Sequence, residues 1–245
     1  RGYGMQHKKT RINPFIFRAY DIRGVVGPDL NFETAELIGK AYGTFIRRAG
    51  GKETVAGRDN RISSCELQEA LVKGIISTGC DVVDIGLSTT PLLYFAVAHG
   101  QFDGGVNVTG SHNSIEYNGF KLVQREALPI AEEELLQLFK VRTCLTLIGR
   151  RSSIHRWEPK EEYYTELERQ THLYREVEVV IDAGNGIAGI YTPELLSRIG
   201  CKITALYCES DGTFPNHLPD PEMEENVLDL KRKVVEIGAD LGIAY

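Results

Sequence analysis

The chain has 245 residues, of which 42% are hydrophobic and 25% are charged, and its formal net charge at pH 7 is −6. This composition is typical of an ordinary globular protein, and the length favours two domains over one. The acidic balance without a basic stripe excludes a general nucleic-acid binder, and no apolar run approaches the length of a membrane-spanning helix. We therefore expect neither nucleic acid nor membrane as a partner, and without a visible signal peptide we expect a cytoplasmic location.

Predicted strands and helices alternate along the first part of the chain. The apolar residues after Asn31 recur at the spacing of one buried helical face, and the pair Gly50-Gly51 ends that helix. The predicted elements, in order, are an extended run at 15–24, the helix after Asn31, a strand at 54–57, a helix at 64–78, a strand at 81–85, a helix at 91–98, strands at 105–108 and 120–123, and a helix at 130–139. The segment 142–156 is irregular, and we place a domain boundary at its end.

A second series of alternating elements follows that boundary. It comprises predicted helices at 158–170, 192–199 and 227–237, strands at 177–181, 202–207 and 240–245, and a proline-rich loop at 214–221. This alternation predicts two consecutive three-layer α/β/α units with mainly parallel mixed sheets. The predicted domains are residues 14–156 and 157–245, after a tail at 1–13. Because a buried-type strand should lead into a further element, we expect the second unit to be truncated and the chain to be part of a longer protein.

The most informative turn lies in the stretch 104–121, where the predicted strand is followed by Thr109-Gly110-Ser111-His112-Asn113. Gly110 allows a tight or positive-φ backbone and the close approach of a ligand. Ligands of α/β sheets bind beyond the carboxyl ends of the strands, where both Arg58 and Ser111 are expected. Ser111 is therefore a candidate nucleophile or phosphorylated hydroxyl, although a polar surface turn explains the same residues.

Two observations limit the chemistry of this turn. His112 and Ser111 are adjacent on an extended segment, so their side chains need not share a face and His112 need not be the base for Ser111. A hydrolase triad is poorly supported because the chain contains no G-x-S-x-G elbow. Basic residues recur at turns of the first predicted unit, and in an acidic protein they indicate a local anion site; they are Arg18, Arg23, Arg58, Arg61 and Lys121.

A second motif indicates a different function. Gly184, Gly186 and Gly189 match the G-x-G-x-x-G dinucleotide fingerprint between a predicted strand and a predicted helix, and Glu209 follows about 20 residues on. A tight strand-to-helix connection that needs small residues explains the same glycines. The proline-rich loop that interrupts the unit after Glu209 argues against the nucleotide interpretation.

Five motifs in a fixed order resemble the α-D-phosphohexomutases, most closely the bacterial phosphomannomutase/phosphoglucomutase type. They are Tyr20-Asp21-Ile22-Arg23-Gly24; Gly57-Arg58-Asp59-x-Arg61; Thr109-Gly110-Ser111-His112-Asn113 with Tyr117-Asn118-Gly119-x-Lys121; Asp182-x-Gly184-Asn185-Gly186; and Phe214-Pro215-Asn216-His217-x-Pro219-Asp220-Pro221. The resemblance covers residues 14–245. It makes the glycine turn at 184–189 a structural feature of the second domain and leaves dinucleotide binding as the alternative.

The resemblance implies a mechanism and a role for each site residue. By this resemblance the full-length protein would interconvert the 1- and 6-phosphates of glucose or mannose through a phosphorylated Ser111 and a bound hexose 1,6-bisphosphate. Arg23 and Lys121 would lie beside the phosphoryl group, and Lys121 would assist proton transfer to the sugar hydroxyl. A further three residues would contact substrate or phosphoryl group: His112 and Asn113 would position the reacting atoms, and Tyr20 would line the substrate entrance. Mg²⁺ would bind an oxygen of phosphorylated Ser111.

The chain departs from the family pattern at two places. The serine loop of the family continues with a proline, whereas Ser114-Ile115-Glu116 stand here. In the family, the strand corresponding to 241–245 leads into a D-G-D-G-D-R loop whose aspartates bind the metal, followed by third and fourth domains that bind the sugar and the distal phosphate. None of these lies within this sequence, so we expect an amino-terminal fragment that has no useful mutase turnover by itself.

Overall fold

The computed structural model describes residues 12–131, 133–134, 136–137 and 152–245. Two α/β units follow one another along this part of the chain, as the alternating pattern predicts. The helix predicted at 130–139 falls partly outside the described residues, and the domain boundary at 156 stays a prediction. No helix of the described ranges is long and apolar enough to span a membrane.

The first unit contains a six-stranded mixed sheet. Its strands are β1 (Ile22–Val25), β2 (Glu53–Arg58), β3 (Asp81–Leu87), β4 (Gly104–Val108), β5 (Tyr117–Gln124) and β6 (Ile154–Arg156), in the spatial order β1-β5-β4-β2-β3-β6. Strands β4, β2, β3 and β6 are parallel, whereas β5 is antiparallel to both of its neighbours.

Two sequence expectations for this sheet were wrong. The extended run predicted at 15–24 forms a strand only from Ile22, because Pro14–Ile16 is a 3₁₀ turn whose Phe15 N–H donates to the Asn13 side chain at 3.1 Å. Strand β6 lies in a segment predicted to be irregular. All three of its residues are exposed, so it has no alternation of apolar and polar residues that could reveal a strand.

Helices cover both faces of the first sheet and make the three layers. The helices are α1 (Phe32–Arg48), α2 (Ser64–Ile76) and α3 (Thr90–His99). Alternate strand residues face opposite sides: Ala56 and Val106 pack with α1 and α2, whereas Val55 and Val83 pack with α3. The predicted cap at Asn31 is confirmed, since its side chain accepts from the Thr34 N–H at 3.0 Å.

Helices α1 and α2 approach each other so closely that glycine is required on both. A Cβ on Gly39 would lie 2.0 Å from the Leu71 carbonyl oxygen, and a Cβ on Gly74 would lie 2.1 Å from the Glu36 carbonyl oxygen. Neither obstacle is a flexible side chain, so a larger residue would have to separate the two helices. The helix pair thus forms a tightly packed layer beneath the sheet.

The second unit has a three-stranded parallel sheet in the order β8-β7-β9. Its elements are α4 (Lys160–Gln170), β7 (Val177–Asp182), α5 (Ala188–Arg198), β8 (Cys201–Leu206), α6 (Leu228–Ile237) and β9 (Leu241–Ala244). Helix α5 begins earlier than the predicted 192, because the glycine turn leads directly into it.

Direct contacts join the two units near the carboxyl ends of β2 and β3. The Tyr191 hydroxyl donates to the carbonyl oxygen of Leu87, and within the second unit the Tyr164 hydroxyl donates to the Tyr191 carbonyl oxygen at 2.7 Å. Asn60, just after β2, donates its side-chain N–H to the Asn185 carbonyl oxygen at 2.8 Å. The edge of the first sheet that carries the serine turn therefore faces the second unit.

Candidate active site

The serine turn follows β4, at the carboxyl edge of the parallel strands where the sequence predicted it. Ser111 has a φ of 53°, in the left-handed region that few non-glycine residues adopt. Its N–H donates to the Thr109 hydroxyl oxygen at 3.0 Å. A Cβ on Gly110 would lie 2.2 Å from Nε of Arg61, so only glycine fits between the turn and this guanidinium.

Arg61 occupies the inside of the turn. Its Nη1 donates to the carbonyl oxygens of Ser114 at 2.9 Å and Tyr117 at 3.2 Å. Its Nη2 donates to those of Ser111 at 3.0 Å and Asn113 at 2.6 Å. Burial lowers the pKa of Arg61, and the neighbouring Asp59 carboxylate opposes that shift. The sequence predicted that Arg61 is one of several basic residues that bind an anion. In the structure, its N–H donors instead face acceptor groups of the protein itself.

Asp59 provides the matching buried anion. Its Oδ2 accepts from the Gly110 N–H at 3.1 Å and lies 3.3 Å from Nε of Arg61. Its Oδ1 accepts from the Arg61 N–H at 3.1 Å and from the hydroxyl of Ser64. One carboxylate therefore joins the end of β2 to the start of the serine turn.

Arg23 and Lys121 are brought together beside this turn by Asp21. Arg23 is buried, donates from Nη1 to the Thr109 carbonyl oxygen at 2.6 Å, and pairs through Nη2 with Asp21. Nζ of Lys121 lies 3.7 Å from the same carboxylate. The two predicted cations are thus neighbours, and the Arg23 side chain contacts the residue two positions before Ser111.

The three remaining predicted site residues, His112, Asn113 and Tyr20, each have a different environment from that of Arg23 and Lys121. Nδ1–H of His112 donates to the Pro219 carbonyl oxygen at 2.8 Å, so its ring is held by the second unit. The Asn113 N–H donates to the Gly110 carbonyl oxygen at 3.2 Å and closes the turn. Tyr20 is 69% exposed. The functional roles expected for these three side chains stay predictions.

A cavity of about 520 Å³ lies between the two units and opens onto the serine turn. On the side of the first unit it is lined by Thr90, Asn107, Thr109, Ser111 and Lys121, and on the side of the second unit by Ile187, Tyr191, Leu195 and Tyr245. One wall is therefore polar and basic, and the other is mainly apolar.

The glycine turn at 184–189 is explained by packing. Gly184 has a φ of 49°, and a Cβ on Gly189 would lie 2.3 Å from the Cys208 carbonyl oxygen. The Gly184 N–H donates to Asp182 Oδ1 at 3.0 Å. Nothing in the geometry of this turn supports the dinucleotide alternative.

The described residues do not form a metal site by themselves. Among them, no three or more His, Cys, Asp or Glu side chains are grouped so that they could hold a metal ion. Ser111 remains the one predicted ligand in this part of the chain, through an oxygen of its expected phosphoryl group. These residues therefore do not fit a complete Mg²⁺ site.

Sequence reasoning missed the two aspartates that hold the site together. Asp21 stands two positions before Arg23, and Asp59 stands two positions before Arg61. A carboxylate separated by one residue from an arginine, at the end of a predicted strand, was the signal that could have revealed both pairs.

Comparisons with known proteins agree with this architecture. Residues 14–141 match the family described as phosphoglucomutase/phosphomannomutase, alpha/beta/alpha domain I, and residues 161–245 match domain II of the same family. The phosphomannomutase/phosphoglucomutase of Pseudomonas putida is 44% identical over 231 residues, which are 94% of this chain and 50% of that protein. The phosphoglucomutase of Neisseria meningitidis serogroup B is 38% identical over 232 residues, with 94% and 50% covered.

A solved structure extends the agreement to the fold. The phosphoglucomutase/phosphomannomutase family protein of Burkholderia thailandensis superposes with a TM-score of 0.89 at 38% identity, covering 96% of this chain and 53% of that one. The chain thus spans about half the length of the relatives it matches, and its second unit is truncated relative to them. With both of its units matched, the chain belongs to the phosphoglucomutase/phosphomannomutase family.

Proposed function

We propose that this chain is the amino-terminal half of a phosphohexomutase, in which Ser111 carries the transferred phosphoryl group. The observation that carries the proposal is the Ser111 turn itself. It lies at the carboxyl edge of the sheet, it opens onto the cavity between the units, and Arg23 and Lys121 lie next to it. The names of the relatives, phosphoglucomutase and phosphomannomutase, support a hexose phosphate as the substrate.

The proposed reaction moves one phosphoryl group in each half. A hydroxyl oxygen of the hexose phosphate attacks phosphorus, the bond from phosphorus to Ser111 Oγ breaks, and the hydroxyl loses its proton, with Lys121 assisting that transfer. The resulting hexose 1,6-bisphosphate turns over in the site. Ser111 Oγ then takes the other phosphoryl group, which releases the isomeric hexose phosphate.

The charges around Ser111 suit this chemistry. A phosphoserine has a charge of about −1.5 to −2 at neutral pH, which needs cationic neighbours in a partly dry site. Arg23 is fixed by the Thr109 carbonyl oxygen and Asp21, so its charge is oriented before substrate binds. Lys121 is less constrained, with 28% of its side chain exposed, and its Nζ lies 3.7 Å from the Asp21 carboxylate.

Mg²⁺ is the cofactor that the family implies. It supplies charge neutralisation on the transferred phosphoryl group when bound. In this chain an oxygen of phosphorylated Ser111 would be its ligand, and we route no step through the metal because the described residues do not complete its site. By the same resemblance we place the full-length enzyme in the cytoplasm and expect no useful turnover from this chain alone.

Intact mass spectrometry of the full-length protein, purified without phosphatase, tests the proposal. We expect the added mass of one phosphate, located on the Ser111 peptide, and its loss in Ser111→Ala. With a hexose bisphosphate as activator, Ser111→Ala should lower turnover by about three or more powers of ten, because the covalent carrier is gone. Near-normal turnover of this variant would refute the proposal, and saturable NAD binding by the wild-type chain would favour the dinucleotide alternative.

A further inference from the structure

The conformation of the serine turn depends on backbone carbonyl groups that converge on one buried cation. The five N–H groups of a guanidinium form a rigid planar fork. For Arg61, four of them donate to the carbonyl oxygens of Ser111, Asn113, Ser114 and Tyr117, and the fifth, on Nε, faces Asp59. Every donor of this side chain therefore has a protein acceptor, and none is left for a substrate phosphate.

This arrangement is also nearly inaccessible to water. The exposed fractions of the Arg61 and Asp59 side chains are 2% and 7%. Four carbonyl dipoles that point to the same place repel one another unless a cation lies between them. The guanidinium of Arg61 therefore stabilises this form of the turn, in which Ser111 has a φ of 53°.

The second unit covers the outer side of the same guanidinium. The ring of Phe214 lies 5.2 Å from the Arg61 guanidinium carbon, in a cation–π contact. Close by, Gly212 packs against the Asn60 carbonyl oxygen so tightly that a Cβ would lie 2.3 Å away. The proline-rich loop at 214–221 also holds His112 through the Pro219 carbonyl oxygen. Two residues of this loop, Phe214 and Pro219, therefore contact the serine turn or its anchor.

We infer that Arg61 is the positioning residue of the Ser111 turn, and that Phe214 of the second unit keeps its guanidinium in place. Arg61 does not touch the transferred group; it sets where Ser111 Oγ stands relative to Arg23 and Lys121. This inference rests on the proposed function, and it assigns the loop at 214–221 the task of coupling the second unit to the phosphoryl carrier.

Lysine cannot replace arginine in this role. Its ammonium keeps the charge, but it has three N–H donors, which leave the four convergent carbonyl oxygens and Asp59 incompletely paired. In the full-length enzyme Arg61→Lys should therefore reduce kcat about 100-fold, which is the cost of a misplacement of roughly 1 Å in the reacting groups. The KM for glucose 1-phosphate should stay within about twofold, since uniform substrate binding is not removed.

The experiment measures kcat and KM with glucose 1,6-bisphosphate as activator, the rate of Ser111 phosphorylation by that bisphosphate, and the urea midpoint. Arg47→Lys is the matched control, because it makes the same exchange in α1, where the guanidinium donates to the Gly51 carbonyl oxygen away from the turn. We expect Arg61→Lys to slow phosphorylation of Ser111 in parallel with kcat under conditions where it is fully folded, and Arg47→Lys to leave both rates unchanged.

Phe214→Leu is the second variant and decides the matter if Arg61→Lys does not fold. It keeps the five donors of Arg61 but removes the aromatic face, and we expect kcat to fall roughly fivefold with KM unchanged. Three outcomes would each overturn the inference. Folded Arg61→Lys could have the kcat of the wild type, or it could lose activity only in proportion to its unfolded fraction. Phe214→Leu could also have the kcat of the wild type. Failure of the proposed function looks different, because the wild-type protein would then carry no phosphate on Ser111.

Discussion

The central strand of the first sheet and the last strand of the second have opposite surroundings. All five residues of β4 are buried, between α1 and α2 on one face and α3 on the other. In β9, Leu241 is 40% exposed, and no residue of the strand is fully buried. The serine turn therefore follows a strand that is covered on both faces. The second unit contributes loops and an apolar wall to the site from a less covered sheet.

The comparison predicts that the same substitution has very different effects in the two units. Leu71 in α2 is fully buried, so Leu71→Ala should lower the free energy of unfolding by about 3 kcal/mol, through lost burial and the cavity left behind. Leu241→Ala in β9 should lower it by less than about 1 kcal/mol, because much of that side chain is already exposed. Urea unfolding of both variants, followed by circular dichroism, measures the difference. Equal losses would show that the two sheets form one equally packed core.

The contact between α1 and α2 offers a second way to weaken the first unit. Gly74→Ala should lower its free energy of unfolding by roughly 2 kcal/mol, because the new Cβ meets the backbone of the facing helix and the helices must separate. Glu69→Ala, at an exposed position of α2, is the control and should change it by less than about 0.5 kcal/mol. Urea midpoints compare the two. A neutral Gly74→Ala would mean that the helix pair adapts without loss.

The smallest effect is expected within the second unit, where Tyr164 of α4 and Tyr191 of α5 pack together against Leu92 of α3. Tyr164→Phe removes the hydroxyl that donates to the Tyr191 carbonyl oxygen and should lower the free energy of unfolding by about 1 kcal/mol. Tyr174→Phe makes the same change at a fully exposed ring and should have no measurable effect. Thermal unfolding distinguishes the two variants. If they melt together, the buried hydroxyl contributes nothing to the contact between α4 and α5.

The amino-acid sequence by itself determined the alternation of strands and helices, the cap at Asn31 and the position of the serine turn. These features are local, or they follow from the rule that ligands meet the carboxyl ends of parallel strands, whereas the place of Arg23 and Lys121 beside the turn was implied only by the family resemblance. The exposed strand β6 escaped prediction because its three residues carry no burial pattern.

Only the tertiary structure decided how the serine turn is held. The acceptors of Arg61 lie 50 to 56 residues away along the chain, and all four are backbone carbonyl oxygens. Every residue has such an oxygen, so no side-chain pattern marks which ones a distant guanidinium will reach. The same holds for the contact of His112 with the Pro219 carbonyl oxygen, which depends on how the second unit packs against the first. The residue types in the sequence predicted which groups could react, whereas the folded backbone determined how those groups are positioned relative to one another.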